Sequence, residues 1–265
     1  MTAGTTTIEK SGPGGVASVA RAIMRAVRTI TIVCAVWWLA VLVFRIPAYL
    51  LPGPDIVLGK LVFLASAAQL ERHVAATVME IILGFALGSV AGVLCGWLFD
   101  RLPRVGRLLS PLILLLQTAP KIAIAPLLLL WLGLGLGPKV ALIAIVVFFP
   151  VLTGTLAGLG AVDPAYRDLA RLLGLRAITR FWRIELPFAL PPVFAGLRIA
   201  TTQAVTAAVV GELIGATFGL GYLLSVGQEN NDAGVVIASV LMLSTLGWAM
   251  HEAVRVVEAR MLAWR

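Results

Sequence analysis

The sequence predicts an all-α, polytopic membrane protein with six transmembrane helices and a short cytoplasmic helix between the fourth and fifth. Three observations predict it. Apolar residues make up 60% of the 265-residue chain, charged residues only 13%, and mean hydropathy is +1.00. Soluble domains carry about a quarter charged residues, so the solvent here is lipid. The apolar residues gather in six runs long enough to cross hydrocarbon, which takes about 20 residues. Lys and Arg cluster between alternate runs.

The first 20 residues are polar, rich in Gly, Ser and Thr, and lack the apolar stretch of a signal peptide. They are expected to form a disordered cytoplasmic tail ahead of a membrane domain over 21–265. The runs fall at 29–46, 74–98, 110–131, 138–160, 188–211 and 234–253. In the second, Gly84, Gly88, Gly92 and Gly96 recur every fourth residue, the spacing of a face on which another helix backbone approaches closely. Pro120, Pro126 and Pro150 lie inside spans. Backbone freed by proline is tolerated at that depth where it is buried or lines a cavity.

Basic residues set the orientation. Fifteen Lys and Arg (Lys10, Arg21, Arg25, Arg28, Arg101, Arg104, Arg107, Arg167, Arg171, Arg176, Arg180, Arg183, Arg255, Arg260 and Arg265) fall on one side. Only Arg45, Lys60, Arg72 and Lys139 fall on the other. The positive-inside rule places the fifteen, and both termini, in the cytoplasm of a cell (plasma or inner) membrane. The net charge of +8 therefore reads as topology rather than as a nucleic-acid footprint.

The loop over 161–187 carries the most local information. Asp163 before Pro164 is a helix start, Leu169, Leu172 and Leu173 recur at helical spacing between arginines, and Gly174 is placed to end the helix. The product is an amphipathic helix with an apolar edge and a basic face. Periodicity leaves two roles open, a helix lying on the membrane surface or one inserting into a groove of a cytoplasmic partner.

The segment also resembles the loop of ABC importer permeases, E-A-A-x-x-x-G followed after nine residues by I-x-L-P. Asp168 stands for the Glu, Leu169 and Ala170 for the alanines, Gly174 for the glycine, and Ile184, Leu186 and Pro187 close the pattern. Pro120 to Leu127, Leu130 to Gly135, Val162 to Pro164, Gly219 to Tyr222 and Val257 to Trp264 are similar to the nitrate, sulfonate and taurine permease group. The resemblance covers about residues 70–265. It implies a type I importer permease, one copy of a homodimer, whose coupling helix docks on cytoplasmic ABC ATPase subunits, two per complex. An extracytoplasmic substrate-binding protein would deliver solute. The chain has no G-x-x-x-x-G-K-[ST] phosphate loop, so ATP and Mg are expected on the partner and no cofactor on this chain. Asp163, Arg167, Asp168, Leu169, Ala170, Arg171, Gly174, Ile184, Leu186 and Pro187 are the implied docking residues. For the arginines a merely solvated or lipid-facing role stays open.

Charges at membrane depth cost at least ~2.5 kcal/mol and invite functional readings. Glu80, Gln117, Lys121 and Glu212 are candidates for the substrate path, with Lys121 assisting an anionic or polar solute. A Glu80–Lys121 ion pair joining two helices is the competing expectation. Cys34, Cys95, His73 and His251 show no metal spacing, and no nucleophile–base set is apparent, so neither metal ligands nor catalytic residues are assigned. The alternative reading is an ion-coupled secondary transporter using Glu80 and Lys121; the inverted halves common in that class are not evident.

Overall fold

A chain in hydrocarbon must satisfy its backbone internally, and every regular element here is helical. The computed structural model describes residues 15–67 and 70–263. The elements are α1 (Gly15–Val43), α2 (Pro54–Ala67), α3 (Leu70–Arg101), α4 (Pro103–Thr118), a 3-10 turn (Lys121–Ile124) and α5 (Ala125–Leu132). They continue with α6 (Leu136–Gly160), α7 (Pro164–Leu172), α8 (Ala177–Arg180), a π turn (Phe181–Glu185), α9 (Leu186–Gly215), α10 (Leu220–Glu229) and α11 (Ala233–Met261). Of the tail expected over 1–20, residues 1–14 lie outside the described residues and 15–20 belong to α1. Lys10 and Arg265 also lie outside them.

The six expected spans resolve differently. Among the described residues, four helical runs are long and apolar enough to cross: Leu70–Arg101, Leu136–Gly160, Ala177–Gly215 and Ala233–Met261. They contain the second, fourth, fifth and sixth expected runs. The third is broken: α4 and the segment Lys121–Leu132 meet at 85°. The cause is Pro120, which has no N–H to donate and holds Ala119 extended at ψ 144°. The first falls within α1, a 29-residue helix whose apolar stretch ends at Val43 before Arg45 turns the chain at φ +49°. The 14 residues of α2, not foreseen as an element, are too few to cross.

α6 is the centre of the bundle, packed between α3 and α9. The four glycines of α3 are buried against it. A methyl group on Gly88 would sit 2.5 Å from the Ala144 carbonyl, and one on Gly92 2.9 Å from the Phe148 carbonyl. The contacts rise together along both chains, so α3 and α6 run parallel. On its other side Gly158 meets Ala189 while Lys139 meets Gly211, so α6 and α9 run antiparallel. Ile81, Ile143, Val147, Ala200, Ala204 and Ala208 fill the space between these backbones, each fully buried. Small side chains are what let three helices approach in a medium that offers no hydrophobic drive between them.

A second cluster joins α2, α10 and α11 through Val57, Leu64, Leu220, Leu223, Ala238 and Leu243. Asp232 caps α11, accepting from Gly234 N–H at 3.1 Å and Val235 N–H at 3.2 Å, and Lys60 Nζ of α2 donates to it at 2.5 Å. Burial pushes this carboxyl up, but the Lys60 ammonium and the two amides outweigh it and hold it below the usual carboxylate range.

The glycine contact makes a direct prediction. Gly88→Val forces side-chain atoms into the α6 backbone and is expected to cost about 1–3 kcal/mol. Gly59→Ala in α2, with open space around it, is expected to be neutral or slightly stabilising. Thermal unfolding of the purified protein in detergent compares the two; equal midpoints would contradict the close approach.

Candidate functional site

Three regions hold the functional side chains. The first is the loop at the end of α6. Asp163 Oδ1 accepts from Ala165 N–H at 2.8 Å and starts α7 at Pro164, where a missing N–H is harmless. The helix ends as the sequence predicts: Gly174 takes φ +64° and Leu175 N–H reaches back to the Ala170 carbonyl at 3.0 Å, the Schellman arrangement. Ala170 is fully buried against the bundle, while Leu169, Leu172 and Leu173 are exposed at 50%, 86% and 66%. Asp168 is exposed, and the Arg171 side chain lies outside the described residues. Ile184, Leu186 and Pro187 carry the chain through the π turn into α9, and the three are half-buried.

Consecutive residues at the end of α3 hold this loop. Asp100 accepts from Arg167 Nη2 at 3.1 Å, and the same guanidinium donates to the Leu159 carbonyl at 2.6 Å. Arg101 Nη2 donates to Glu185 at 2.6 Å, and Arg180 Nε donates to the other oxygen at 2.9 Å. Glu185 is 1% exposed, so two arginines compensate a carboxylate that burial alone would make very costly.

The second region lies at the opposite end of α3. Glu80 pairs with Lys139 of α6, not with Lys121 as expected. The sequence puts Lys139 with the outer charges at the start of the fourth run; it lies in the first turn of α6, as that run implies, but is buried, 7% exposed. Glu212, also buried, is not free to line a path. Its Oε1 accepts from Thr77 Oγ1 at 2.6 Å and its Oε2 from Gly221 N–H at 2.5 Å. Thr77 Oγ1 in turn accepts from Leu220 N–H at 2.8 Å, and His73 Nδ1 accepts from Gly219 N–H at 3.1 Å. The N-terminus of α10 is thus capped by side chains of α3 and α9. Neither Thr77 nor His73 was a candidate, since nothing in a local pattern links them to residues 219–221.

The third region surrounds the break between α4 and α5. Lys121 stands on the 3-10 turn, partly exposed, its Nζ donating to the Gln117 carbonyl at 2.7 Å and lying 4.9 Å from the Phe149 ring centroid. Beside it is a cavity of about 350 Å³ lined by Pro120, Lys121, Val146, Thr202, Gln203 and Thr206. Of the four path candidates, Lys121 lines this cavity, Gln117 gives Lys121 only a backbone carbonyl and lines a separate cavity with Asp100, Arg107 and Arg167, and Glu80 and Glu212 sit in the buried network. Arg198, the remaining span arginine, pairs with Glu258 of α11. Among the described residues no His, Cys, Asp or Glu group is arranged to hold a metal ion.

A bundle of helices long and apolar enough to span a membrane, with an exposed amphipathic helix at one end, is the architecture of a multi-pass membrane protein. Comparison with known proteins agrees. Residues 84–263 match the family described as the binding-protein-dependent transport system inner membrane component. The formylaminopyrimidine transport permease protein ThiX of Halalkalibacterium halodurans is 36% identical over 82% of this chain and 86% of its own length. The taurine transport system permease protein TauC of Escherichia coli is 30% identical over 92% and 90%. A chain of the MetNI methionine ABC transporter, in an inward-facing conformation, shares the fold at TM-score 0.63 and 19% identity, covering 72% of this chain and 95% of that one. The chain belongs to the family of inner-membrane components of binding-protein-dependent transport systems, and is a multi-pass, non-catalytic permease subunit of an ABC importer.

The buried pair predicts a sign pattern. Lys139→Met leaves Glu80 buried and uncompensated and is expected to destabilise by about 3–5 kcal/mol. Adding Glu80→Gln removes the orphaned charge and is expected to recover most of that loss. Thermal midpoints of the two single variants and the double give the coupling, and additive losses would exclude the pair.

Proposed function

We propose that this permease works as one half of a homodimer, gripped from the cytoplasm by two separate ABC ATPase subunits that carry ATP and Mg, and that it passes a small anionic solute inward by alternating access. The observation that carries the reading is α7. Its Leu169, Leu172 and Leu173 edge is exposed, its start and end are fixed by Asp163 and Gly174, and Arg167 ties it to α3. A preformed amphipathic helix with an uncovered apolar edge suits a groove in a partner protein. Docking there puts the α7 end of the bundle in the cytoplasm, the side that the basic residues favour. The opposite end, with α10, then receives the substrate-binding protein. Arg171 and Arg176 sit on or beside this helix and are assigned to polar contacts with the ATPase.

The cargo reading rests on Lys121. An ammonium beside a cavity lined by Thr202, Thr206 and Gln203 offers one positive charge among hydroxyl and amide groups, the chemistry that recognises a small carboxylate, sulfonate or oxyanion. Two relatives fit that class by name, the taurine permease of Escherichia coli and a permease of Bacillus subtilis named for aliphatic sulfonates, 30% identical over 88% of this chain.

Reconstitution in proteoliposomes with a partner ABC ATPase and binding protein from the same organism, using radiolabelled taurine and sulfate as probes, tests both levels. Uptake is expected to require ATP, and Lys121→Met is expected to reduce it by about tenfold or more while the complex stays assembled. Uptake that persists without ATP and the ATPase overturns the importer reading. Undiminished uptake by Lys121→Met overturns the path assignment alone.

A further inference from the structure

The buried face of α3 reads, in order, His73, Thr77, Glu80, Ile81, Gly84, Gly88, Gly92 and Gly96, with Asp100 one turn further on. Its 32 residues span about 48 Å at the helical rise, the full depth of a bilayer with its headgroups. At one end Asp100 and Arg101 hold both arms of the loop, α7 through Arg167 and the return to α9 through Glu185. The contact is reinforced by Trp97, whose ring lies 5.7 Å from the Arg101 guanidinium and packs edge-on against Phe181. At the other end His73 and Thr77 accept from two N–H groups at the start of α10, and Glu212 of α9, held by Thr77, accepts from the next. The His73 ring also stacks on Tyr222 of α10 at 5.9 Å. Between the two sets of hooks the glycine face allows α3 no room to bend toward α6.

We infer that α3 is a transmission rod, and that Asp100, Arg101 and Thr77 are positioning residues that couple the ATPase-docking loop to α10 on the opposite face. The inference rests on the proposed docking of α7. The physical argument is one of rigidity. An unbroken helix transmits displacement along its axis because each turn is held by its backbone hydrogen bonds. The α4–α5 path is broken by 85° at Pro120, and α3 works alongside α9, which joins the loop to α10 through the chain itself and meets α3 at both ends through Glu185 and Glu212. A shift of α7 driven by the motor therefore pulls on Asp100 and Arg101, and the same movement reaches the α10 N-terminus through Thr77 and His73. The short helix α10 responds because its first two N–H groups, of Leu220 and Gly221, are held by Thr77 and Glu212 rather than by its own sequence: Gly219 at its start supplies no capping side chain.

The test uses the assembled permease–ATPase complex in nanodiscs, with Cys34→Ser and Cys95→Ser removing the native thiols. Gln228→Cys, on the exposed end of α10, is labelled with a maleimide before and after trapping the motor with ATP and orthovanadate. Trapping is expected to change the labelling rate in the otherwise unaltered protein. Arg101→Gln and Thr77→Val are each expected to shrink that change by about fivefold or more, the scale of a typical coupling free energy. Arg101→Lys is expected to restore it in part. Lys60→Met, which cuts the α2–α11 pair away from α3, is expected to leave it unchanged, and a general loosening of the fold would not spare this control. If Arg101→Gln does not assemble, Asp100→Asn takes its place at the same end. A full change at Gln228→Cys in both Thr77→Val and the α7-end variant, with the ATPase retained, overturns the rod. So does the absence of any change on trapping in the parent. Failure of the ATPase to co-purify with the parent permease overturns the docking reading first, and the rod with it.

Discussion

Three backbones, α3, α6 and α9, lie closer together than side chains normally permit, and the rest of the molecule is arranged around that approach. In hydrocarbon a leucine gains nothing by leaving lipid for another leucine, so association must come from close packing and from polar contacts. Gly84, Gly88, Gly92 and Gly96 on α3 supply the first, with Gly154 and Gly158 on α6 and Gly196 on α9 meeting carbonyl groups across the other interface. Lengthy apolar surfaces remain on α1 and α4, where large residues such as Ile30, Leu39, Leu108 and Leu115 are exposed. Those helices form the periphery of this chain, and α4 has no buried residue at all.

Polar groups then fix what packing alone would leave degenerate. A glycine face can slide by one turn against a regular neighbour, since every fourth residue looks alike. The Glu80–Lys139 pair near one end and the Asp100–Arg167 and Arg101–Glu185 pairs at the other remove that freedom. Each pins a different residue number to a different partner, and a slipped register would leave buried charge uncompensated at several places together. These ion pairs thus fix the register of the bundle, while Lys121, outside them, lies beside a cavity.

What the sequence made legible followed the range of the interaction. The docking loop was read almost residue by residue, because Asp163, Pro164 and Gly174 act on amides within a few positions of themselves. The glycine face was legible for a similar reason: its period is a property of one helix. Partnership was not. Glu80 and Lys139 are 59 residues apart, and Lys139, adjoining Pro138 and Gly137, has the appearance of an ordinary lysine at the outer end of a span. The Thr77–Glu212–Gly221 chain brings together three segments with no shared motif. In the third span Pro120 signalled a break, but neither hydropathy nor the residue itself gives its size, which is 85°.

The placement of Lys121 has an evolutionary consequence. It stands on a one-turn 3-10 segment next to α4, which has no buried residue and touches the bundle mainly at Gly106 against Phe99, and not on the glycine-packed helices. Substitutions at Pro120, Lys121 and Ile122 can therefore alter one wall of the cavity without disturbing the register of the bundle, whereas Val146, Thr202 and Gln203 line it from the packed helices α6 and α9. A lineage built on this plan can vary that one wall quickly on a scaffold that hardly changes. Duplicated copies would then specialise along the Lys121 segment long before their membrane architecture diverged.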